Sequence, residues 1–234
     1  GKRSIFFVSD LGSEISLRTA LSTAVNTTLF GPNQMNAVYS TWEDLFHALA
    51  KAAKNERLVV VLDEFPYLVT AHPPLATILQ RVWDQTLKNS QIMLILCGSY
   101  IGMMEETVLG YQAPLYGRRT AQYLLEPLQF KDARLFYPSF DLEDQVRAYA
   151  VYGGTPAYLR TLKPQQSLRE NILDGILSRG SFLYDEVRFV LQQELREPRN
   201  YSATLQAIAA GKTRLNEIKL TTGIEGATAY LDTL

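Results

Sequence analysis

The stretch that decides the fold is Leu58-Val59-Val60-Val61-Leu62-Asp63-Glu64, a run of apolar residues that ends in two acids. An uninterrupted run of β-favouring residues is typical of a strand buried on both faces of a parallel α/β sheet. Ligands of open α/β folds bind at the carboxyl edge of such a sheet. Asp63 and Glu64 are therefore expected at a binding edge.

An aspartate followed by a glutamate at that edge suits metal-dependent nucleotide hydrolysis. Asp63 can hold a hydrated Mg²⁺, and Glu64 can polarise the attacking water. This is the pattern of a Walker B motif. The alternative is that both acids follow a buried strand for solubility alone, and these residues by themselves do not decide between the two.

A second apolar run, Ile92 to Cys97, follows at the spacing of a βαβ unit. Residues 74–84, between the two runs, carry apolar residues at helical spacing, which predicts a helix. Gly98-Ser99 then places a hydroxyl at the same sheet edge. Ser99 is interpreted either as a sensor of a terminal phosphate or as the N-cap of the next helix.

Several long segments, in the same order, resemble prokaryotic, largely archaeal ATPases of the STAND/AAA+ kind. These segments are LVVVLDEFPYLV, SQIMLILCGSYIGMMEE, GYQAPLYGRRT, YLLEPLQF, AYAVYGGTPAYL and LREPRNYSATLQAIAAGKTRLNEI. The resemblance implies an ATP-binding P-loop NTPase-like α/β core with a parallel sheet, then a helical lid and a winged helix-turn-helix. It also implies ATP and Mg²⁺ as cofactors, with ATP as the ligand.

The printed chain departs from this family in its phosphate loop. No G-x-x-x-x-G-K-[ST] stretch, whose backbone amides would cradle phosphates, is present. Gly1-Lys2 is followed by a predicted strand, and Gly211-Lys212-Thr213 has Gln206 at the first glycine position. We expect the first strand and phosphate loop of the core to be missing, so the fragment should bind ATP weakly and be inactive.

Two further motifs resemble parts of the family's nucleotide site. Arg118 or Arg119 lies where AAA-type proteins place an arginine that contacts phosphate, although either could simply pair with carboxylates. Gly154 and Pro156 resemble a lid motif whose proline packs near adenine. The same residues would equally serve as a helix end followed by a helix start.

The last segment, from Tyr201 to Leu234, predicts three short helices separated by Gly211 and Gly223, with the spacing of a helix-turn-helix. Residues 225–234 contain no Lys or Arg to meet phosphates, so contact with DNA is only one of two interpretations; the other is a packing module. Protein partners or self-association are equally open.

The pattern divides the chain into residues 1–127 as an incomplete ATPase core, 128–197 as the lid and 198–234 as a partial winged helix-turn-helix. A fourth strand is expected at Gln122 to Leu125.

The net charge of −1 argues against a general nucleic-acid coat. A single cysteine, Cys97, and no apolar run of membrane-spanning length indicate a cytoplasmic protein.

The leading functional interpretation is an ATP-binding and ATP-hydrolysing molecular switch of the STAND/AAA+ class. In it, Asp63 binds Mg²⁺, Glu64 is the base, Ser99 is the sensor, and Arg118 or Arg119 contacts phosphate. The alternative is a non-catalytic DNA-binding or protein-interaction module with a degenerate nucleotide site.

Overall fold

The structure is a computed structural model that describes residues 3–31, 38–99, 101–195 and 197–234. Gly1 and Lys2, which bear on the phosphate-loop question, lie outside the described residues. The chain divides into two compact units, Gly1–Gln122 and Tyr123–Leu234, and each is described by itself.

The first unit is built on a parallel sheet in the order β1-β2-β3. The strands are β1 (Arg3–Val8), β2 (Leu58–Asp63) and β3 (Ile92–Leu96). The register pairs Phe6 with Val61 and Val61 with Ile95, so the three carboxyl ends lie along one edge. The strands predicted from the sequence at these three places are confirmed.

One face of this sheet carries the core of the first unit. Side chains alternate across the strands, and Ile5, Val60 and Leu62 are buried on the covered face. On the other face Phe6 is 65% exposed, and Val8 and Met93 are exposed as well. This face therefore leaves apolar side chains exposed, whereas the missing first strand expected from the sequence stays a prediction.

Helices pack on the covered face and supply the rest of the core. Their bounds are α1 (Glu14–Phe30), α2 (Trp42–Ala52), α3 (Phe65–Ala71), α4 (Leu75–Gln85) and α5 (Ile101–Met104). A 3₁₀ turn, Leu87–Asn89, follows α4, and a π-helical turn, Glu105–Leu109, follows α5. The predicted helix in residues 74–84 is confirmed as α4, which buries Leu75, Leu79 and Val82.

The predicted fourth strand at Gln122 to Leu125 is wrong. Residues 121–129 form no regular element, and Leu125 is 93% exposed. Among the described residues, no strand pairs with the outer edge of β3. A strand forms only when its backbone groups pair with those of a neighbouring strand, and residues 122–125 make no such ladder with β1, β2 or β3.

The second unit is helical and has two separate hydrophobic clusters. Its helices are α6 (Phe130–Ala133), α7 (Leu142–Tyr152), α8 (Pro156–Leu159), α9 (Leu168–Ile172), α10 (Glu186–Glu194), α11 (Pro198–Ala209), α12 (Leu215–Thr222) and α13 (Ala227–Thr233). A 3₁₀ turn, Arg134–Phe136, follows α6, and a π-helical turn, Leu173–Leu177, continues α9.

The larger cluster centres on Tyr137, Ala148 and Leu159. The smaller one joins Ala207, Ile218 and Ala227 of the last three helices. The predicted turn at Gly223 is confirmed, because this glycine ends α12 in the left-handed conformation at φ 71°. The division into three domains stays a prediction.

In the described part of the chain, no helix combines the length and the apolar character that crossing a bilayer requires.

Candidate functional site

Glu64 stands at the end of β2 in an uncommon backbone conformation. Its φ is 52° and its ψ is 41°, in the left-handed region. It is the only non-glycine residue with positive φ among the described residues. A side chain in this region costs about 1–2 kcal/mol, so the surrounding structure must hold it there.

Hydrogen bonds fix the peptide groups on both sides of Glu64. The backbone amide and the hydroxyl of Ser9, just after β1, both donate to the carbonyl of Asp63 at 3.0 Å. The amide of Phe65, the first residue of α3, donates to the carbonyl of Cys97 at 2.9 Å. The ends of β1 and β3 therefore hold the turn at the end of β2.

Ser99 contacts the carboxylate of Glu64 directly. Its Oγ donates to Glu64 Oε1 at 2.7 Å, and its amide donates to Oε2 at 3.4 Å. Gly98 makes this approach feasible, because a Cβ there would lie 2.8 Å from the side chain of Met104. The structure thus brings two of the predicted site residues together, and the hydroxyl of Ser99 is directed at Glu64.

Asp63 is half-buried beside them. Its Oδ1 accepts the amide of Glu64 at 3.0 Å. Within the described residues nothing donates to the other oxygen, Oδ2, which is the atom that could hold a cation. No group of three or more His, Cys, Asp or Glu side chains forms a metal cage in the described ranges. A single carboxylate fits Mg²⁺, which is commonly held by one or two carboxylates, waters and substrate phosphates.

Cys97 lies half-buried next to these acids and just past the end of β3. Burial, and then the negative charges of Asp63 and Glu64, raise the pKa of its thiol. A thiol with a raised pKa stays protonated at neutral pH and is a poor nucleophile.

Sequence reasoning missed Ser9. It is 97% buried and fixes the backbone of Asp63, but it lies after a strand without neighbouring acids. The rule that indicated Ser99, a hydroxyl immediately after a parallel strand, would have indicated Ser9 as well.

Arg118 is engaged elsewhere in the first unit. Its Nη2 lies 2.7 Å from Asp84 Oδ2 in α4, and its Nε lies 3.1 Å from both carboxylate oxygens. Its Nη1 donates to the carbonyls of Pro114 and Tyr116. Pairing with a carboxylate is the alternative to a phosphate contact that the sequence left open for this arginine.

Arg119 donates from Nη1 to the carbonyl of Leu109 at 3.2 Å, and its guanidinium lies 5.9 Å from the ring centre of Tyr116. Among the described residues, neither Arg118 nor Arg119 bonds to Asp63 or Glu64. A phosphate contact by either arginine stays a prediction.

Gly154 and Pro156 belong to the second unit, where their contacts are structural. The carbonyl of Gly154 accepts the amide of Leu128 at 2.9 Å, and a Cβ at position 154 would lie 2.0 Å from the carbonyl oxygen of Leu128. Pro156 opens α8, although Thr155 makes no side-chain cap there. The proposed adenine contact stays a prediction.

A family model described as an ATPase domain predominantly from Archaea matches residues 3–162. The chain is 38% identical over 196 residues to the uncharacterized protein MJECL04 of Methanocaldococcus jannaschii, a match covering 82% of this chain and 43% of that protein. It is 41% identical over 56 residues to MJ0424 of the same organism, covering 24% of this chain and 54% of that protein.

The chain therefore spans about half the length of the curated relatives it matches, or less. Among solved structures, the Walker-type ATPase PABY2304 of Pyrococcus abyssi is similar with a TM-score of 0.54 and 19% identity, over 99% of this chain and 77% of that one. This likeness concerns the fold. Since the family model covers residues 3–162 of 234, the chain belongs to the family of ATPase domains found predominantly in Archaea.

Proposed function

We propose that this chain carries the part of an ATP-hydrolysing site that directs the metal ion and the attacking water. The observation that carries the proposal is the strained backbone of Glu64, whose carboxylate is held at the carboxyl edge of a parallel sheet by Ser99. Strain that neighbouring strands maintain is characteristic of functional positions. A carboxylate present only for solubility would need neither the strain nor the hydrogen bonds.

The roles follow from which atoms remain accessible. Asp63 Oδ2 is the proposed ligand of Mg²⁺, which when bound neutralises charge on the phosphates. Glu64 is the proposed base that orients water. The hydroxyl of Ser99, now donating to Glu64, could donate instead to a terminal phosphate oxygen, which is the basis of its proposed sensor role.

The phosphate-binding half of such a site needs other groups. The printed chain contains no glycine-rich loop with its lysine, and positioning of phosphate charge supplies most of the catalysis in phosphoryl transfer. We therefore expect the chain alone to hydrolyse ATP no faster than background. Hydrolysis is proposed for a longer protein that joins a phosphate loop to this chain.

In that longer protein we propose a molecular switch of the STAND/AAA+ class. To contact phosphate, Arg118 would have to break its ion pair with Asp84. Arg119 would have to break its hydrogen bond to the carbonyl of Leu109 and its contact with the ring of Tyr116. Gly154 and Pro156 are proposed for the lid's side of the adenine site, and a cytoplasmic location is expected.

The test uses a longer protein in which a glycine-rich loop precedes this chain. Glu64→Gln should abolish ATP hydrolysis while ATP affinity is kept, because Glu64 acts on water. Asp63→Asn should also weaken Mg²⁺-dependent ATP binding. Glu56→Gln, at an exposed glutamate paired with Arg3, is the matched control and should leave both measurements unchanged. Equal hydrolysis by wild type and Glu64→Gln would remove Glu64 from this role.

The second candidate is a non-catalytic DNA-binding or protein-interaction module with a degenerate nucleotide site. It is favoured by the three-helix arrangement of α11, α12 and α13 around a left-handed Gly223. Residues 225–234 offer no Lys or Arg to a phosphate backbone. Titration with duplex DNA at two salt concentrations would support this function if binding weakened steeply with salt.

A further inference from the structure

Ser9 follows β1 directly, and its side chain is buried. Its backbone amide and its hydroxyl Oγ both donate to the carbonyl oxygen of Asp63 at 3.0 Å. The amide bond continues the parallel ladder, in which Val8 pairs with Asp63. The hydroxyl bond is additional, so one residue fills both acceptor positions of this carbonyl oxygen.

The carbonyl that Ser9 holds belongs to the peptide group between Asp63 and Glu64. At the other end of that peptide group, the amide of Glu64 donates to Asp63 Oδ1 at 3.0 Å. Because a peptide group is planar, fixing the direction of its oxygen also fixes the direction of its N–H. The hydroxyl of Ser9 therefore influences both the bond to Asp63 Oδ1 and the φ angle of Glu64, which is 52°.

Rotation of this peptide group would release the strain at Glu64. A non-glycine residue in the left-handed region is strained, so a rotation that returned Glu64 to negative φ would be favoured locally. It would also turn the amide away from Asp63 Oδ1 and redirect the side chain of Glu64, whose Oε1 accepts Ser99 Oγ at 2.7 Å. Two hydrogen bonds from Ser9 oppose this rotation, and the hydroxyl supplies one of them.

The other buried serine of the described residues bonds differently. Ser22 Oγ donates to the carbonyl of Arg18 at 2.7 Å, four residues back in the same helix. Such a bond satisfies a buried hydroxyl locally and needs no partner from another element. Ser9 instead bonds to a carbonyl 54 positions away, in the peptide group on which the conformation of Glu64 depends.

We propose that Ser9 is a positioning residue of the hydrolytic site, an inference that rests on the function proposed above. Its hydroxyl holds the peptide group between Asp63 and Glu64, so that Asp63 Oδ2 stays available to the metal ion and Glu64 keeps its orientation toward water. In this role Ser9 contacts neither the metal ion nor the nucleotide. It therefore acts on the rate of hydrolysis through Glu64 and not on the binding of ATP.

The first test uses the longer protein in which a glycine-rich loop precedes this chain. Ser9→Ala should lower kcat for ATP hydrolysis about 10-fold, the factor that corresponds to one hydrogen bond of ordinary strength, and leave the KM for ATP unchanged. Ser9→Cys, whose thiol is a weak donor, should lower kcat similarly. The matched control is Ser22→Ala, which removes another buried hydroxyl of the first unit. It should lower the Tm as Ser9→Ala does but leave kcat unchanged.

Glu64→Gln in the same protein separates this proposal from the proposed function. If Glu64→Gln is inactive while both Ser9 variants keep the wild-type kcat, the positioning role is overturned and the proposed function stands. If Glu64→Gln hydrolyses ATP at the wild-type rate, both are overturned. An equal loss of kcat in Ser22→Ala and Ser9→Ala would also overturn the positioning role, because it would show a general effect of destabilisation.

The second test needs no nucleotide and uses this chain as it is. Amide hydrogen exchange reports the opening of individual peptide groups. Ser9→Ala should speed exchange of the Glu64 amide more than that of the Cys97 amide, which donates to the carbonyl of Leu62 at 3.0 Å. Ser22→Ala should show no such preference. An equal effect of Ser9→Ala on both amides, or none at Glu64, would mean that the hydroxyl does not hold this peptide group.

Discussion

At the scale of single residues, the backbone of Glu64 links stability to function. Its left-handed conformation is maintained by Ser9 on one side and Cys97 on the other, through bonds to the neighbouring peptide groups. A protein that merely needed a turn here would gain stability with glycine, which adopts this conformation without strain. A glutamate at this strained position is explained if its carboxylate has the proposed role of orienting water.

Comparing Glu64→Gly with Glu64→Ala measures this strain. Both variants lose the carboxylate and its bonds to Ser99, but only alanine keeps a Cβ in the left-handed region. We expect the free energy of unfolding of Glu64→Gly to be about 1 kcal/mol higher than that of Glu64→Ala. At most positions the alanine variant would be the more stable of the two. Chemical denaturation of both variants measures this difference. A more stable alanine variant would show that position 64 is unstrained.

The ion pair of Arg118 and Asp84 predicts a pH dependence. The hydrogen bond from Arg118 lowers the pKa of the Asp84 carboxyl. A carboxyl with a lowered folded-state pKa contributes stability above its unfolded pKa, and that contribution is lost as the pH falls through the folded value. Arg118→Met should therefore lower the Tm at neutral pH, with the difference from wild type shrinking below about pH 4. Arg119→Met is the control, and its Tm difference from wild type should stay the same between neutral pH and pH values below about 4.

At the scale of elements, the sequence predicted those features that depend on local chemistry. Thr41 is a residue type that favours the N-cap position, and its hydroxyl accepts the amide of Asp44 at the start of α2 at 3.0 Å. The three strands follow from apolar runs, and their shared carboxyl edge follows from parallel pairing. The juxtaposition of Glu64 and Ser99 could be anticipated on that basis.

Features that depend on partners distant in sequence could not be predicted. Nothing in residues 122–125 reveals whether a strand edge is available to them, and nothing near Arg118 points to Asp84, 34 positions away. The left-handed turn at Glu64 depends on bonds from two other strands, and the π-helical turn Leu173–Leu177 has no pattern in composition. Tertiary contacts decide each of these.

Gly154 joins two segments of the second unit, and this predicts a large effect of adding one methyl group. A Cβ at position 154 would meet backbone atoms of Leu128 at 2.0 and 2.7 Å, which no side-chain rotation relieves. Gly154→Ala should destabilise the second unit by more than about 3 kcal/mol. Gly226→Ala, where a Cβ meets nothing within 4 Å, should cost less than about 1 kcal/mol. Similar unfolding curves for the two variants would contradict the close approach.

At the scale of the whole molecule, the parallel sheet of the first unit buries one face, whereas Phe6 and Val8 on its other face are exposed in the part of the chain that the structure describes. Parallel sheets are normally buried on both faces, so an exposed apolar face is unusual. Asp63 shares that face with Phe6 and Val8 through the register of β1 and β2. The proposed metal ligand therefore lies at the border of this exposed apolar surface.

Neighbouring phenylalanines on opposite faces test this asymmetry. Phe7 is 9% exposed and packs in the core, whereas Phe6 is 65% exposed. Phe7→Thr should destabilise the first unit by about 3–5 kcal/mol, as expected for removing a buried aromatic ring. Phe6→Thr should change its stability by less than about 1 kcal/mol and should reduce concentration-dependent self-association, which light scattering measures, because it removes exposed apolar surface. Equal destabilisation by the two substitutions would mean that both faces of the sheet are covered in solution, and the uncovered surface would then have to be assigned to contact between copies of this chain.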